Sequence, residues 1–147
     1  MLKPPLTGAA IARLVPHAGT MCLLDRAEAW SGTSIRCSAV SQASSENPLR
    51  RDGLLPAICG LEYALQAMAL HGALTEGNGA QRAGYLASLR GISLSVERLD
   101  DIPGRLLVTA DVLMRNHRSF VYGFALLSAG KELVAGQAAV ILPESTP

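Results

Sequence analysis

The chain has 147 residues and a mass of 15.4 kDa, which predicts one domain over residues 1–147 with a substantial core. Hydrophobic residues make up 49% of the sequence and charged residues only 17%, so we expect another subunit to cover part of the surface. A formal net charge of +1, without a run of basic residues, argues against a nucleic-acid-binding protein.

The first forty residues predict a short helix and a β-hairpin. Thr7 is a suitable N-cap for a helix over Ala9 to Leu14. Strands from Met21 to Trp30 and from Thr33 to Val40 flank a Ser-Gly turn. Apolar and polar residues alternate along the second strand, which is typical of a half-buried strand. The adjacent Asp25 and Arg26 are expected to form a local ion pair that fixes the first strand.

A long apolar helix is predicted in the centre of the chain, after a polar loop over Ser41 to Asp52. Pro56 suits the first helical position, and the helix should run to about Leu74. Because nearly every residue on it is apolar or small, this helix needs cover on most sides. The rest of the chain predicts four strands joined by turns: Ala83 to Val96, Arg105 to Arg115, Ser119 to Ser128 and Leu133 to Leu142. One such helix among about six antiparallel strands indicates an α+β fold, with a curved antiparallel sheet wrapped around one long central helix.

Glu62 and Gln66 are the polar residues expected to carry chemistry on this helix. They lie four positions apart and therefore share one helical face. A carboxylate among apolar residues loses hydration, so the pKa of Glu62 should tend upward, as a general acid near neutral pH requires. The alternative is a stripe of Glu62 and Gln66 that faces water or a partner subunit.

Other polar residues point mainly to structural roles. His71, near the helix end, is expected to favour the helix dipole or to pack, and His117 to lie in a solvated hairpin turn. Cys59 either has a lowered pKa near the helix start or packs as a small hydrophobic residue. The three cysteines lack metal-ligand spacing, and the sequence has no phosphate-binding or calcium loop, so we expect neither a metal nor another cofactor.

Two features of the sequence bear on its location. The apolar stretch from Leu54 to Leu74 is interrupted by Glu62, Gln66 and His71, which are costly to place in lipid. Membrane insertion is therefore not expected. The first residues, Met1 to Pro5, lack the apolar region of a secretory leader, which predicts a cytoplasmic protein.

Two motifs are more specific than these patterns. The first is Leu14-Val15-Pro16-His17 followed by Met21-Cys22-Leu23-Leu24-Asp25-Arg26, and the second is the spacing from Pro56 through Glu62 to Gln66. Together they resemble the opening and the central helix of the 3-hydroxyacyl-[acyl carrier protein] dehydratases. Tyr85-Leu86 and the segment Lys131 to Gly136 also match in order and character, so the resemblance covers nearly the whole chain. Leu55-Pro56-Ala57 and Gly60-Leu61-Glu62-Tyr63 look most similar to small dehydratase-like proteins encoded with aryl polyene and related lipid pathways.

The resemblance implies a hotdog fold and a reaction. In that family a thioester-bound 3-hydroxyacyl chain loses water to give the 2-enoyl thioester, without a cofactor. Glu62 would protonate the departing hydroxyl, and the N–H groups of Ala57 and Ile58 would hold the thioester oxygen. Asn47 and Gln66 are expected to contact the substrate as well.

The catalytic base is the point at which this sequence departs from the family. The family places its catalytic His fourteen positions before the acid, and here that position is Pro48. No His lies between His17 and Glu62. His17 supplies the base in one hypothesis, and a second hotdog subunit completes the site of a degenerate dehydratase in another. In a third the chain hydrolyses or only binds an acyl thioester.

The resemblance also implies partners. The substrate would arrive on acyl carrier protein, less readily on coenzyme A, and the chain would form a homodimer or higher oligomer, or a hetero-oligomer with another hotdog subunit. Independently of the resemblance, Arg50, Arg51 and Arg90 are candidates for contact with an acidic partner, and the alternative is that they are ordinary solvated arginines.

Overall fold

The computed structural model describes residues 3–15, 19–76 and 85–141, in which an antiparallel sheet packs against one long helix. The strands are β1 (Leu6–Thr7), β2 (Arg26–Trp30), β3 (Ser34–Ala39), β4 (Tyr85–Leu94), β5 (Leu106–Arg115), β6 (Ser119–Ser128) and β7 (Lys131–Ile141). The helices are α1 (Gly8–Ala12) and α2 (Gly60–Glu76), and short 3₁₀ turns occur at Gly19–Met21, Ser41–Ala43 and Ala57–Cys59. The sheet order is β1-β2-β3-β5-β6-β7-β4, and all neighbouring strands are antiparallel. The predicted α+β architecture is confirmed.

The first predicted strand is shorter than expected. β2 begins at Arg26 rather than at Met21, because Gly19–Met21 form a 3₁₀ turn and the Met21 carbonyl and the Leu23 N–H are bonded to the Gln66 side chain. The two-residue strand β1, which pairs with β2, has too few residues to produce a periodic pattern. The end of the central helix was predicted near Leu74 and lies at Glu76.

The face of the sheet that packs on α2 is apolar along each central strand. Ile35, Cys37 and Ala39 of β3 are buried there, as their alternation predicted, and their partners on β5 are Ala110, Val108 and Leu106. At the start of α2, a Cβ on Gly60 would lie 3.1 Å from Leu126 and 3.2 Å from Val134. A glycine at this position therefore lets the first turn of the helix approach β6 and β7 closely.

His71 links the far end of α2 to two other elements. Its Nε2 lies 2.9 Å from the carbonyl oxygen of Ser31, and since a carbonyl only accepts, Nε2 carries the hydrogen. Its Nδ1 lies 2.9 Å from the hydroxyl of Tyr122 on β6. The ring is buried, so the packing role anticipated for His71 fits this position and a role in chemistry does not.

The local ion pair predicted between Asp25 and Arg26 is wrong. Asp25 pairs with Arg105, while Arg26 lies 3.3 Å from Glu28. Successive side chains of an extended segment point to opposite faces, so adjacent residues do not meet. The partners are those that the sheet brings alongside.

Candidate active site

The start of α2 is fixed by a short antiparallel contact with residues 97–99. The Ala57 N–H donates to the Glu97 carbonyl at 3.0 Å, and the Leu99 N–H donates to the Leu55 carbonyl at 2.8 Å. The carboxylate of Asp100 accepts the Leu55 N–H at 2.8 Å and also binds Arg98. These contacts set the direction in which the chain enters the helix.

Asp100 makes this helix start sensitive to acid. The hydrogen bonds from Arg98 and from the Leu55 N–H hold the pKa of Asp100 well below its ordinary value of 3.8. A carboxyl whose pKa is lowered by folding stabilises the protein above that ordinary value, and the contribution is lost as the pH falls through the folded-state pKa. We expect Asp100→Asn to lower Tm at pH 7, and the difference from wild type to shrink as the pH is taken below 3.8. Thermal unfolding followed by circular dichroism at a series of pH values measures both.

The matched control is Asp101→Asn. Asp101 is the exposed neighbour of Asp100 and lies 3.8 Å from the same arginine. The Asp101→Asn substitution should change Tm little at any pH, because exposed ion pairs contribute little to stability. A Tm difference for Asp100→Asn that stays constant from pH 7 into the acid range would contradict the prediction.

Glu62 lies in the first turn of α2, on the part of the helix that the described part of the chain leaves open. The buried residues Gly60, Ala64, Ala67 and His71 follow one another at helical spacing, and Gly60 and His71 among them contact the sheet. The residues that remain partly exposed also recur at helical spacing and form what we call the open stripe: Ile58, Leu61, Glu62, Leu65, Ala69 and Gly72. The prediction that the helix is covered on most sides therefore holds except for this stripe. Glu62 is its one charged residue.

The carboxylate of Glu62 makes no hydrogen bond or ion pair within residues 3–15, 19–76 and 85–141, and it is half-buried. Its charge and that of Arg51 both act on the thiol of Cys59, so the three side chains lie in one neighbourhood at the helix start. Burial is the main cause that raises the pKa of Cys59, which excludes the lowered pKa considered for this thiol. A half-buried carboxylate that no other described residue engages is available to a bound substrate.

The backbone N–H groups of Ala57 and Ile58, which were predicted to hold the thioester oxygen, lie in different surroundings. The Ala57 N–H is bonded to the Glu97 carbonyl and Ala57 is buried, so an oxygen of a substrate would have to displace that bond. Ile58 follows directly in the same 3₁₀ turn and its side chain is exposed on the open stripe. Of the two, Ile58 is the one whose surroundings are open.

Gln66 and Asn47 are occupied by the protein itself. Gln66 is 0% exposed, its Oε1 accepts the Leu23 N–H at 2.9 Å, and its Nε2 donates to the Met21 carbonyl. Asn47 is buried, its Oδ1 accepts the Leu49 N–H at 2.9 Å, and its Nδ2 donates to the Tyr63 hydroxyl at 3.0 Å. Both side chains hold neighbouring segments in place, and the substrate contacts predicted for them would require these bonds to change.

Neither described histidine is placed to act with Glu62. His71 is nine positions further along α2, which at the rise of an α-helix is about 13 Å away, and its ring is bonded at both nitrogens. His117 lies exposed in the turn between β5 and β6, as predicted. His17 lies outside the described residues, so its predicted role as base remains a prediction.

The three arginines considered for contact with an acidic partner differ in how far their side chains are exposed. Arg50 donates to the backbone carbonyls of Gly53 and Gln42, at 2.8 and 3.1 Å, and is only partly exposed. Arg51 and Arg90 are exposed. Of the arginines considered for an acidic partner, Arg51 and Arg90 therefore offer guanidinium groups to the surface.

Tyr63 and Ser41 were missed by the sequence analysis. Ser41 Oγ lies 2.7 Å from the Tyr63 hydroxyl, next to Glu62 along the chain. The signal for Tyr63 was present, because a tyrosine in an otherwise aliphatic helix needs a partner for its hydroxyl when it is buried. The sequence carries no signal for Ser41, since nothing in it distinguishes this serine from the other serines of the polar loop.

A long central helix packed against an antiparallel sheet in this order defines a hotdog protein. The chain belongs to the ApeP-like family, whose model, described as the ApeP dehydratase, matches residues 9–147. The resemblance to dehydratases of aryl polyene and related pathways is thereby confirmed. The family assignment also supports dehydration as the reaction.

Several solved structures share the fold. The dehydratase heterocomplex ApeI:P from Xenorhabdus doucetiae is 21% identical, with a TM-score of 0.79 over 92% of this chain and 91% of that chain. The E. coli PaaI protein from the phenylacetic acid degradation operon is 14% identical, with a TM-score of 0.56 over 78% of this chain and 80% of that chain. A hypothetical thioesterase with coenzyme A from Streptococcus pneumoniae TIGR4 is 11% identical, with a TM-score of 0.58 over 82% and 87%. Among curated proteins no relative matches the sequence.

Three further expectations concern metals, membranes and cysteines. Within the described residues, His, Cys, Asp and Glu form no group that could hold a metal ion. None of the helices in this part of the chain is both long enough and apolar enough to cross a membrane. Cys22, Cys37 and Cys59 are free thiols.

Proposed function

We propose that the chain dehydrates a 3-hydroxyacyl thioester carried on acyl carrier protein, with Glu62 as the acid that protonates the leaving hydroxyl. The observation that supports this is the half-buried carboxylate of Glu62 in the otherwise apolar open stripe, with no hydrogen-bond or ion-pair partner among the described residues. An acyl chain beside the stripe would exclude bulk water from Glu62 and bring the leaving hydroxyl within its reach. Ile58 is the backbone donor proposed for the thioester oxygen, where negative charge develops.

The base is proposed to come from a second hotdog subunit. The described histidines are placed elsewhere, and a structurally similar dehydratase is named as a heterocomplex. His17 of this chain is the alternative base. In either case the site combines an acid on α2 with a base that the described part of the chain does not contribute.

The edge of the sheet supports a partner subunit. β4 is a ten-residue strand at one edge, with its outer row of N–H and C=O groups unpaired by the sheet, and such edges favour pairing with another strand. Leu86, Leu89 and Leu94 on β4 are exposed. Leu89 and Leu94 lie opposite the buried residues Ala138 and Val134, and directly opposed residues point to the same face. These leucines therefore lie on the face of the sheet that also packs on α2.

One helix is too narrow to cover this sheet. α2 packs mainly against β3, β5 and β6 and reaches β7 at Gly60, whereas Leu89 and Leu94 on the same face of β4 remain exposed. A second hotdog subunit would supply both a strand for the β4 edge and a helix for this face. A cytoplasmic location and the binding of acyl carrier protein near Arg51 and Arg90 belong to the same proposal.

The test is a mass measurement on the carrier-bound acyl group. The chain is incubated with a 3-hydroxyacyl carrier protein, alone and with a co-purified second hotdog subunit, and the carrier is analysed by mass spectrometry. Loss of one water only with both subunits is the expected result. Loss of water with this chain alone, abolished by His17→Ala, would assign the base to His17. Release of the free acid without an enoyl product would make the chain a thioesterase and overturn the proposal.

A further inference from the structure

Tyr63 lies fully buried in the first turns of α2, and its hydroxyl joins two loops. Asn47 Nδ2 lies 3.0 Å from the Tyr63 hydroxyl, and Ser41 Oγ lies 2.7 Å from it. Ser41 Oγ in turn lies 2.8 Å from the carbonyl oxygen of Leu23. The side chain therefore connects the loop after β3 with the segment before β2.

The direction of every hydrogen bond in this chain of groups is determined. The Leu23 carbonyl can only accept, so the single hydroxyl hydrogen of Ser41 points to it. Ser41 Oγ must then accept from Tyr63, whose oxygen accepts from Asn47 Nδ2. Burial raises the pKa of Tyr63, so its hydroxyl keeps the hydrogen that it donates. The four groups form one ordered series without an unsatisfied member.

A further hydrogen bond, to Gln66, connects this series back to α2. Leu23 is bonded at both backbone groups: its carbonyl accepts from Ser41 and its N–H donates to Gln66 Oε1 at 2.9 Å. Tyr63 and Gln66 are three positions apart and share one side of α2. That side of the helix thus holds the loop over residues 41–49 and the segment over residues 21–25 in a single arrangement next to Glu62.

We propose that Tyr63 is a positioning residue for the reaction at Glu62, whose buried hydroxyl aligns these two segments with the start of α2. The inference rests on the proposed function. Both segments adjoin positions that bear on the base: Pro48, which stands where the family has its His, follows Asn47, and His17, the alternative base, precedes the segment that contains Leu23. A phenylalanine would fill the same space, so the hydroxyl contributes a unique alignment rather than volume.

The experiment compares Tyr63→Phe with wild type in steady-state dehydration of the carrier-bound 3-hydroxyacyl substrate, under the subunit composition that is active. We expect kcat to fall by about 10- to 100-fold with little change in KM, because small misplacements of reacting groups cost about this much. Ser41→Ala, which removes the acceptor of the Tyr63 hydroxyl, should give the same loss. In the Glu62→Gln background, Tyr63→Phe should cause no further loss, since residues that act as a unit are not additive.

Tyr122→Phe is the matched control. Tyr122 is also a buried tyrosine whose hydroxyl is hydrogen-bonded, but its partner is His71 at the other end of α2. The Tyr122→Phe substitution should lower Tm and leave kcat at the wild-type value. If Tyr63→Phe and Ser41→Ala also lower only Tm, the positioning role is wrong while the proposed function stands. A wild-type protein without dehydration in any subunit composition overturns the proposed function and this inference with it.

Discussion

Glu62→Gln is expected to reduce the rate of dehydration by about 10²- to 10⁴-fold, the usual contribution of a general acid. Glutamine keeps the size of the side chain and its hydrogen-bonding capacity but has no acidic proton for the leaving hydroxyl. Because Glu62 makes no hydrogen bond or ion pair within residues 3–15, 19–76 and 85–141, its replacement removes no interaction seen in the fold. The fall should therefore appear in kcat, with Tm unchanged or slightly raised.

The control for this variant is Glu132→Gln. Glu132 is an exposed residue of β7 and the change alters the net charge by the same amount. It should retain wild-type kcat and Tm. If Glu62→Gln keeps wild-type activity with the same partner subunit, the acid must be supplied elsewhere and Glu62 would be only a polar residue of an interface.

Much of the fold could be predicted because it depends on local periodicity. The alternation around Ile35, Cys37 and Ala39 predicted a strand whose apolar side chains are buried. The turn at Asn116-His117 predicted the hairpin between β5 and β6, and Pro56 predicted the beginning of the helical segment to within a residue. Each signal arises from neighbours along the chain, so it can be read without tertiary contacts.

The site was predicted less completely because its geometry depends on contacts between distant residues. Glu62 and Gln66 share a helical face by spacing, yet Gln66 is bonded to backbone some 43 positions away, which makes it a structural residue in this structure. Asp100, which fixes the helix start, lies 45 positions from Leu55 and no periodic pattern connects them. Tertiary pairing decides such roles, and a single sequence does not reveal it.

Leu89→Asp should weaken association with the partner subunit proposed to bind at the exposed strand β4. Leu89 is 38% exposed in the single chain and lies on the face shared with Ala138, where a second subunit would bury it. Burying a leucine contributes about 1.5–3 kcal/mol, so its loss should raise Kd by about 10- to 100-fold, and the desolvation of a carboxylate adds to this. Sedimentation velocity over a concentration series, with and without the second hotdog subunit, measures the change.

The matched control for association is Leu113→Asp. Leu113 is 55% exposed, more than Leu89, but it packs over Gly123 and therefore lies on the outer face of the sheet. If β4 and its leucines form the interface, Leu113→Asp should associate as wild type does.

Dehydration should fall in parallel with association in Leu89→Asp and recover at high subunit concentration, because Glu62 itself is intact. A Leu89→Asp protein that associates normally would place the interface elsewhere. The origin of the base would then have to be sought in His17.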